Sequence, residues 1–263
     1  MKKFVLFSLL IVLVYSFAAY AENIGVIAKA GISEEDFNAV IKNSWKWTVP
    51  EFADKYHYSY YDSLLSMMFA LNRGDIYEVA VPCFVADYVV ASNPELKVSR
   101  ALHTASNFLA FGFLNDDKGR ELQEKFNSVL SELKSNGKLD VLYHEYINLM
   151  QFKSVEFEKF DGAETIKAAI TGDLPPIDFI ASDGTPQGFN TALLAEIGRA
   201  LKVNIELVEI DAIARTPALT SGRCDTVFWF MVESEKYDIN ENVILSVPYY
   251  SWDFFVAFNK REK

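Results

Sequence analysis

The stretch Thr165–Gly222, TIKAAITGDLPPIDFIASDGTPQGFNTALLAEIGRALKVNIELVEIDAIARTPALTSG, decides the fold. The apolar run Ile166–Ile170 stops at Thr171–Gly172, where turn residues close a strand. Pro175–Pro176 bar regular helix, and Asp183–Gly184 followed by Pro186 reads as a tight turn. After Gly188–Phe189, Leu193, Leu194, Ile197, Ala200 and Leu201 recur at helical spacing. Val203–Ile210 alternates as a strand, and a further helix runs to the stop at Ser221–Gly222. This order of strand, loop, helix, strand and helix begins a parallel α/β sheet. Ligands of such sheets settle outside the carboxyl ends of the strands, so the loop Thr171–Asp178 is expected to face a cleft.

The string PPIDFIASDGTPQGFNTALLAEIGRAL, then ALTSGRCD, then LSVPYY, resembles the type-II periplasmic substrate-binding proteins of ABC importers, in particular the family-3 extracellular solute-binding proteins that include amino-acid receptors. The resemblance implies two α/β lobes, each a parallel or mixed sheet with flanking helices, joined by a hinge and closing on a small solute. Several motifs in order carry it, and it extends over nearly all of the chain beyond residue 21.

The order of the parts is rotated. A second lobe is expected over residues 22–108, and a crossing strand with closing helices over 109–150. GRELQEKFNSVLSELKSNGKLDVLYHEYI resembles the helices that end the chain in ordinary members. A charged joint then covers 151–163. The first lobe follows over 164–263, ending on the hinge strand PYYSWDFFVAFNK. A circular permutation accounts for this, and so does a fragment cut from a tandem array; both readings stay open. ALNRGDIYEVAV (Ala70–Val81) and ALTSGRCDTVFW (Ala218–Trp229) share a helix end, a glycine stop and a strand, one in each half.

Within the first half, Lys55–Tyr61 and Ile76–Val81 read as strands. A helix capped by Asp62 is expected over Ser63–Asn72, with Leu64, Leu65, Met68 and Leu71 inward. A helix Phe84–Ala91 precedes two separate strands, Leu96–Ser99 and Asn107–Phe113. The helix Lys118–Ser135 turns Leu122, Phe126, Val129, Leu130 and Leu133 inward, and Leu139–Met150 follows as a second helix.

Residues 1–21 have the form of a secretory signal: Lys2–Lys3, an apolar stretch Phe4–Ala18, and the small-residue site Ala19-Tyr20-Ala21. The formal charge is −11, and losing Lys2 and Lys3 takes it to −13. Acidic charge without a basic stripe argues against nucleic acid and anionic membrane as partners. Cys83 and Cys224, the only cysteines, fall in different lobes and are expected as free thiols. His57, His103 and His144 sit on a strand, a loop and a helix without metal-ligand spacing, and no cofactor is expected. The chain holds no G-x-S-x-G, H-E-x-x-H or phosphate-binding glycine loop.

In the family, an Arg of the first lobe clamps an α-carboxylate and an Asp of the second takes the ammonium. Against that pattern Ser234 matches the Thr of Thr-x-x-Arg, Tyr237 replaces the Arg, and Lys236 stands beside it. The Asp position falls at Pro82, and the stacking aromatic is Leu174. These departures shift the expectation from an ordinary α-amino acid toward a ring or an apolar body against Trp229, Phe230 and Tyr249, which also read as strand-end core. Arg215, at a helix start, is the candidate anion partner, with a solvated arginine as the alternative. Asp173 takes an ammonium or closes an Asx turn. Ser33 offers an anion site at a helix start or is a plain N-cap.

The implied function is a monomeric extracytoplasmic receptor that hands its solute to an ABC permease in the inner membrane. A cyclohexadienyl-dehydratase-like enzyme and a ligand-sensing module for a membrane receptor are the alternatives.

Overall fold

The structure, a computed structural model, describes residues 22–27, 33–35, 38–39, 42, 56–232 and 241–260. The strands are β1 (Glu22–Ile27), β2 (Tyr56–Tyr61), β3 (Glu78–Pro82), β4 (Leu96–Leu114), β5 (Thr165–Ile170), β6 (Asp173–Leu174), β7 (Asp178–Ile180), β8 (Pro186–Gln187), β9 (Asn204–Glu209), β10 (Thr226–Val232), β11 (Val243–Leu245) and β12 (Tyr250–Lys260). The helices are α1 (Leu64–Arg73), α2 (Cys83–Ser92), α3 (Asp117–Ser135), α4 (Lys138–Tyr143), α5 (Phe189–Leu201) and α6 (Arg215–Thr220).

One mixed sheet of nine strands runs β2-β1-β3-β12-β4-β10-β5-β9, with β11 added to β4. It consists of two half-sheets that share β4. The amino-terminal part of β4 pairs antiparallel with β12, and its carboxyl-terminal part pairs with β10 and β11. Beyond them β3, β1 and β2 lie parallel on one side, and β10, β5 and β9 lie parallel on the other. Each half therefore places its second, first and third strands in that order, followed by a strand arriving from the other half.

The innermost parallel strand of the first half is covered on both faces, and the edge strands are not. All five residues of β3 are buried, while β9, at an edge, has only Ile205 fully buried. Most of α5 is buried, and it packs on β9 and on helices α3 and α4. The stripe Leu122, Phe126, Val129, Leu130 and Leu133 of α3 faces inward as its spacing predicts. There Phe126 meets Phe111 and Phe113 of β4 edge-on, at 5.2 and 5.1 Å between ring centroids.

Four local readings need correction. Ser63, not Asp62, caps α1: its Oγ accepts from the Ser66 N–H at 3.1 Å, and Ser66 Oγ accepts from the Ser63 N–H at 3.3 Å. The buried face of α1 is Leu64, Met67, Ala70 and Leu71, and Leu65 is 63% exposed. Residues 96–114 form one strand where a loop around His103 was expected, because β12 supplies hydrogen-bonding partners through that region. The second closing helix leaves α geometry at Tyr143 and ends as a single π turn over His144–Asn148.

Candidate functional site

At the carboxyl end of β5 the chain folds into a three-stranded antiparallel sheet, β6-β7-β8. Asp173 pairs with Phe179 and Leu174 with Asp178. Residues directly opposite each other in an antiparallel pair project to the same face. One face of this small sheet thus carries Asp173 and Phe179, and the other carries Leu174 and Asp178.

Asp178 is wholly buried. Its carboxylate accepts from the Thr171 N–H at 2.8 Å and the Gly172 N–H at 3.2 Å, with Thr171 Oγ1 at 3.4 Å. Burial outweighs these bonds and pushes its pKa up to about 6. Asp173 is also raised by burial, against the Thr171 hydroxyl and Arg215, which favour its charge. Arg215, the first residue of α6, is 8% exposed. Its Nε donates to Phe228 O at 3.1 Å and its Nη1 to Ala212 O at 2.7 Å, while the guanidinium lies 4.6 Å from the centre of the Phe228 ring. Burial lowers it to about 10, with Asp178 and then Asp173 as its main counter-charges. It stays charged at neutral pH. The guanidinium is therefore built into the protein's own polar cluster.

Tyr249 is buried beside this cluster and donates from Oη to Asn190 Oδ1 at 2.9 Å. Its ring leans on Phe111 and Phe189, at 4.7 and 6.1 Å. Burial, then the negative charge of Asp178, holds its hydroxyl well above the usual phenol range. Leu174 is buried in the main core, which also contains Leu64 of α1. Trp229 is buried in a separate cluster with Ala169, Ile210, Leu219 and Val227. Its ring edge comes within 3.1 Å of where a side chain on Gly112 would begin.

Pro82 ends β3 and precedes α2, Ser33 is exposed immediately before helical Glu34, and Phe230 pairs through its backbone with Leu109. The side chain of Phe230 and all of Lys236 lie outside the described residues. The structure thus brings Asp173, Leu174, Arg215 and Tyr249 into one region and leaves Trp229 in a separate cluster. Asp178 and Asn190, which complete the cluster, were not singled out in the sequence. The signal for Asp178 was present: a carboxylate between Ile177 and Phe179, in a run that otherwise reads as core.

The half containing β1–β3 faces this region. Helix α1 packs on β6, and Tyr88 of α2 lies 6.1 Å from Phe179. The loops bearing Leu174 and Pro82 therefore open on the same side. Ile24 and Phe258 both flank β3, opposite Glu78 and Val79, which puts them roughly 10 Å apart at two strand spacings. At the opposite, amino ends of β5 and β9 lies a surface hollow of about 510 Å³ lined by Lys159, Asp161, Thr165 and Glu206. Among the described residues no group of three or more His, Cys, Asp or Glu could hold a metal ion, and both cysteines are free of disulfide.

The class defined by these elements is an α/β fold of two half-sheets with a polar cluster at the strand ends. Residues 166–263 match the model of the bacterial extracellular solute-binding proteins, family 3. Among solved structures, the chain is similar to the zinc-bound ligand-binding component of an ABC-type import system from Staphylococcus aureus (12% identity, TM-score 0.48, 91% of this chain and 65% of that one). It is also similar to the GluR0 ligand-binding core from Nostoc punctiforme in complex with L-glutamate (10%, 0.44, 92% and 85%). A third is the aliphatic sulphonate binding protein SsuA from Escherichia coli (13%, 0.44, 91% and 65%). The chain thus spans just under two thirds of the length of the first and third. No curated protein sequence is significantly similar to it. The matching family is one of binding proteins, and no helix among the described residues is long and apolar enough to cross a membrane.

Proposed function

We propose that the chain is an extracytoplasmic receptor whose two half-sheets act as lobes around a small solute. The observation that carries this reading is the shared pair β4 and β12, which joins two half-sheets of the same strand order, with α1 and Tyr88 of one half packed against β6 and Phe179 of the other. The family match over 166–263 supports it. Lobe closure would be driven by the difference in solute affinity between open and closed forms.

In this reading residues 1–21 direct secretion, the mature protein is a monomer, and an ABC permease receives the solute. The lobes are residues 22–108 and 164–263, with 109–150 as crossing strand and closing helices; the boundary at 108 falls inside β4. The order is that of a permuted receptor. The contacts of α3 and α4 with α5 support it, because they attach the closing helices to the half that follows them. Arg215 serves as an internal counter-charge. Asp173, Leu174 and Tyr249 are the candidate groups nearest the solute, which is a polar or amino-acid-like molecule with a ring or apolar body.

The test is native mass spectrometry of the purified protein, with thermal unfolding against a pool of small metabolites. A co-purifying small molecule, or a compound that raises the melting temperature and compacts the particle in solution scattering, is the expected result. Absence of any bound species, shift and compaction across the pool would overturn the reading.

A further inference from the structure

Between the two halves lies a seam made by the chain's own side chains. On the small sheet, Asp173 and Phe179 project to one face because they are directly paired. Opposite stand the start of α1, the ring of Tyr88 on α2, and Phe152 from the segment after the π turn. The three rings touch one another: Tyr88–Phe152 at 5.6 Å, Tyr88–Phe179 at 6.1 Å and Phe152–Phe179 at 4.9 Å. Two of these contacts are edge-to-face, the arrangement that ring quadrupoles favour. Beside them α1 packs on β6, the strand that carries Asp173, and the Leu64 N–H at the start of α1 favours the Asp173 charge while burial opposes it. Leu64 and Leu174 continue the seam into the common core.

We propose that this seam is a latch: Tyr88, Phe152 and Phe179, with Asp173 at the start of α1, hold the two halves together by contacts the protein makes with itself. This rests on reading the halves as lobes. A solute that enters must displace the Tyr88–Phe179 contact or the Asp173–α1 contact, so its apparent affinity is set partly by the strength of the seam. Weakening the latch from one side opens the molecule and frees the facing group, so a solute that uses the group left intact binds more tightly.

The experiment places spin labels at Ser92→Cys, at the end of α2, and Asp183→Cys, in the turn between β7 and β8, in a Cys83→Ala/Cys224→Ala background. Distance distributions are then measured on the full chain. The expected result is one narrow distribution in the background, a shift to longer distance with Tyr88→Ala or Phe179→Ala, a smaller shift with Asp173→Asn, and none with Tyr88→Phe. Circular dichroism checks folding, and Phe179→Leu replaces any alanine variant that does not fold. A background already populating short and long distances, unchanged by the variants, overturns the latch and leaves the lobes standing. A single distance in every variant, unmoved by the metabolite pool, overturns both the latch and the lobe reading.

Discussion

Taking a guanidinium out of water costs several kcal/mol unless acceptors and opposite charge surround it, and Arg215 has two carbonyls, an aromatic face and two carboxylates. The reverse side of this arrangement falls on Asp178. Its pKa in the fold, about 6, lies above the 3.8 of a free carboxyl, so between those values the folded protein holds a proton the unfolded chain has lost. The stability this proton gives is fully present below about pH 4, falls as pH rises, and is gone above about pH 6. The gap is worth roughly 3 kcal/mol at about 1.4 kcal/mol per pH unit. Urea titrations from pH 4 to 7 should show this decline, and Asp178→Asn should flatten it. Arg215→Met should destabilise at pH 7 by about 3–5 kcal/mol, since it leaves buried carboxylates without their counter-charge. Arg215 stood out in the sequence as a charge at a helix start. Its pairing with Asp178 did not, because Asp178 lies 37 residues earlier and only the fold of the small sheet brings the two together.

The clearest match between sequence and structure among the elements is the pair of helix stops. In α1 the N–H of Gly74 donates to Leu71 O at 3.2 Å and that of Asp75 to Ala70 O at 2.9 Å. After α6 the N–H of Gly222 donates to Leu219 O at 3.0 Å and that of Arg223 to Ala218 O at 3.0 Å. Both ends are Schellman motifs with glycine in the left-handed region, at φ 83° and 71°, and both lead into a buried strand. The shared spacing A-L-x-x-G made this legible because the motif is local. A side chain at either glycine meets nothing within 4 Å, so Gly74→Ala and Gly222→Ala should cost only the left-handed backbone penalty, about 1 kcal/mol each. The costs should add in the double variant, as chemical denaturation can check. The middle of β4 was illegible for the opposite reason. Ser99–Asn107 carries turn-prone residues, and its strand state comes from pairing with β12, some 150 residues away.

At the scale of the molecule, the α/β class was legible from the order of elements and the two halves from the family resemblance, whereas the fusion of both half-sheets through β4 was not, since no local pattern specifies it. That fusion has a thermodynamic consequence. Two lobes with separate cores would melt in two steps. Here a single buried cluster contains Met67, Val79 and Phe84 from one half, Phe111 and Phe126 from the middle, and Ile166, Leu193 and Phe228 from the other. Phe84 also meets Tyr250 and Trp252 of β12 edge-on, at 5.3 and 5.2 Å, so the crossing strand is packed into the first half by aromatic contacts. Losing either half would expose large apolar surface on the other, at about 25 cal/mol per Å². We therefore expect one cooperative transition, in which circular dichroism and tryptophan fluorescence coincide and the calorimetric enthalpy equals the van't Hoff enthalpy. Phe84→Ala should lower the midpoint by removing about 3–5 kcal/mol while keeping the two signals together. If the signals separate in the unaltered protein, the halves fold as independent units and the common core does not couple them.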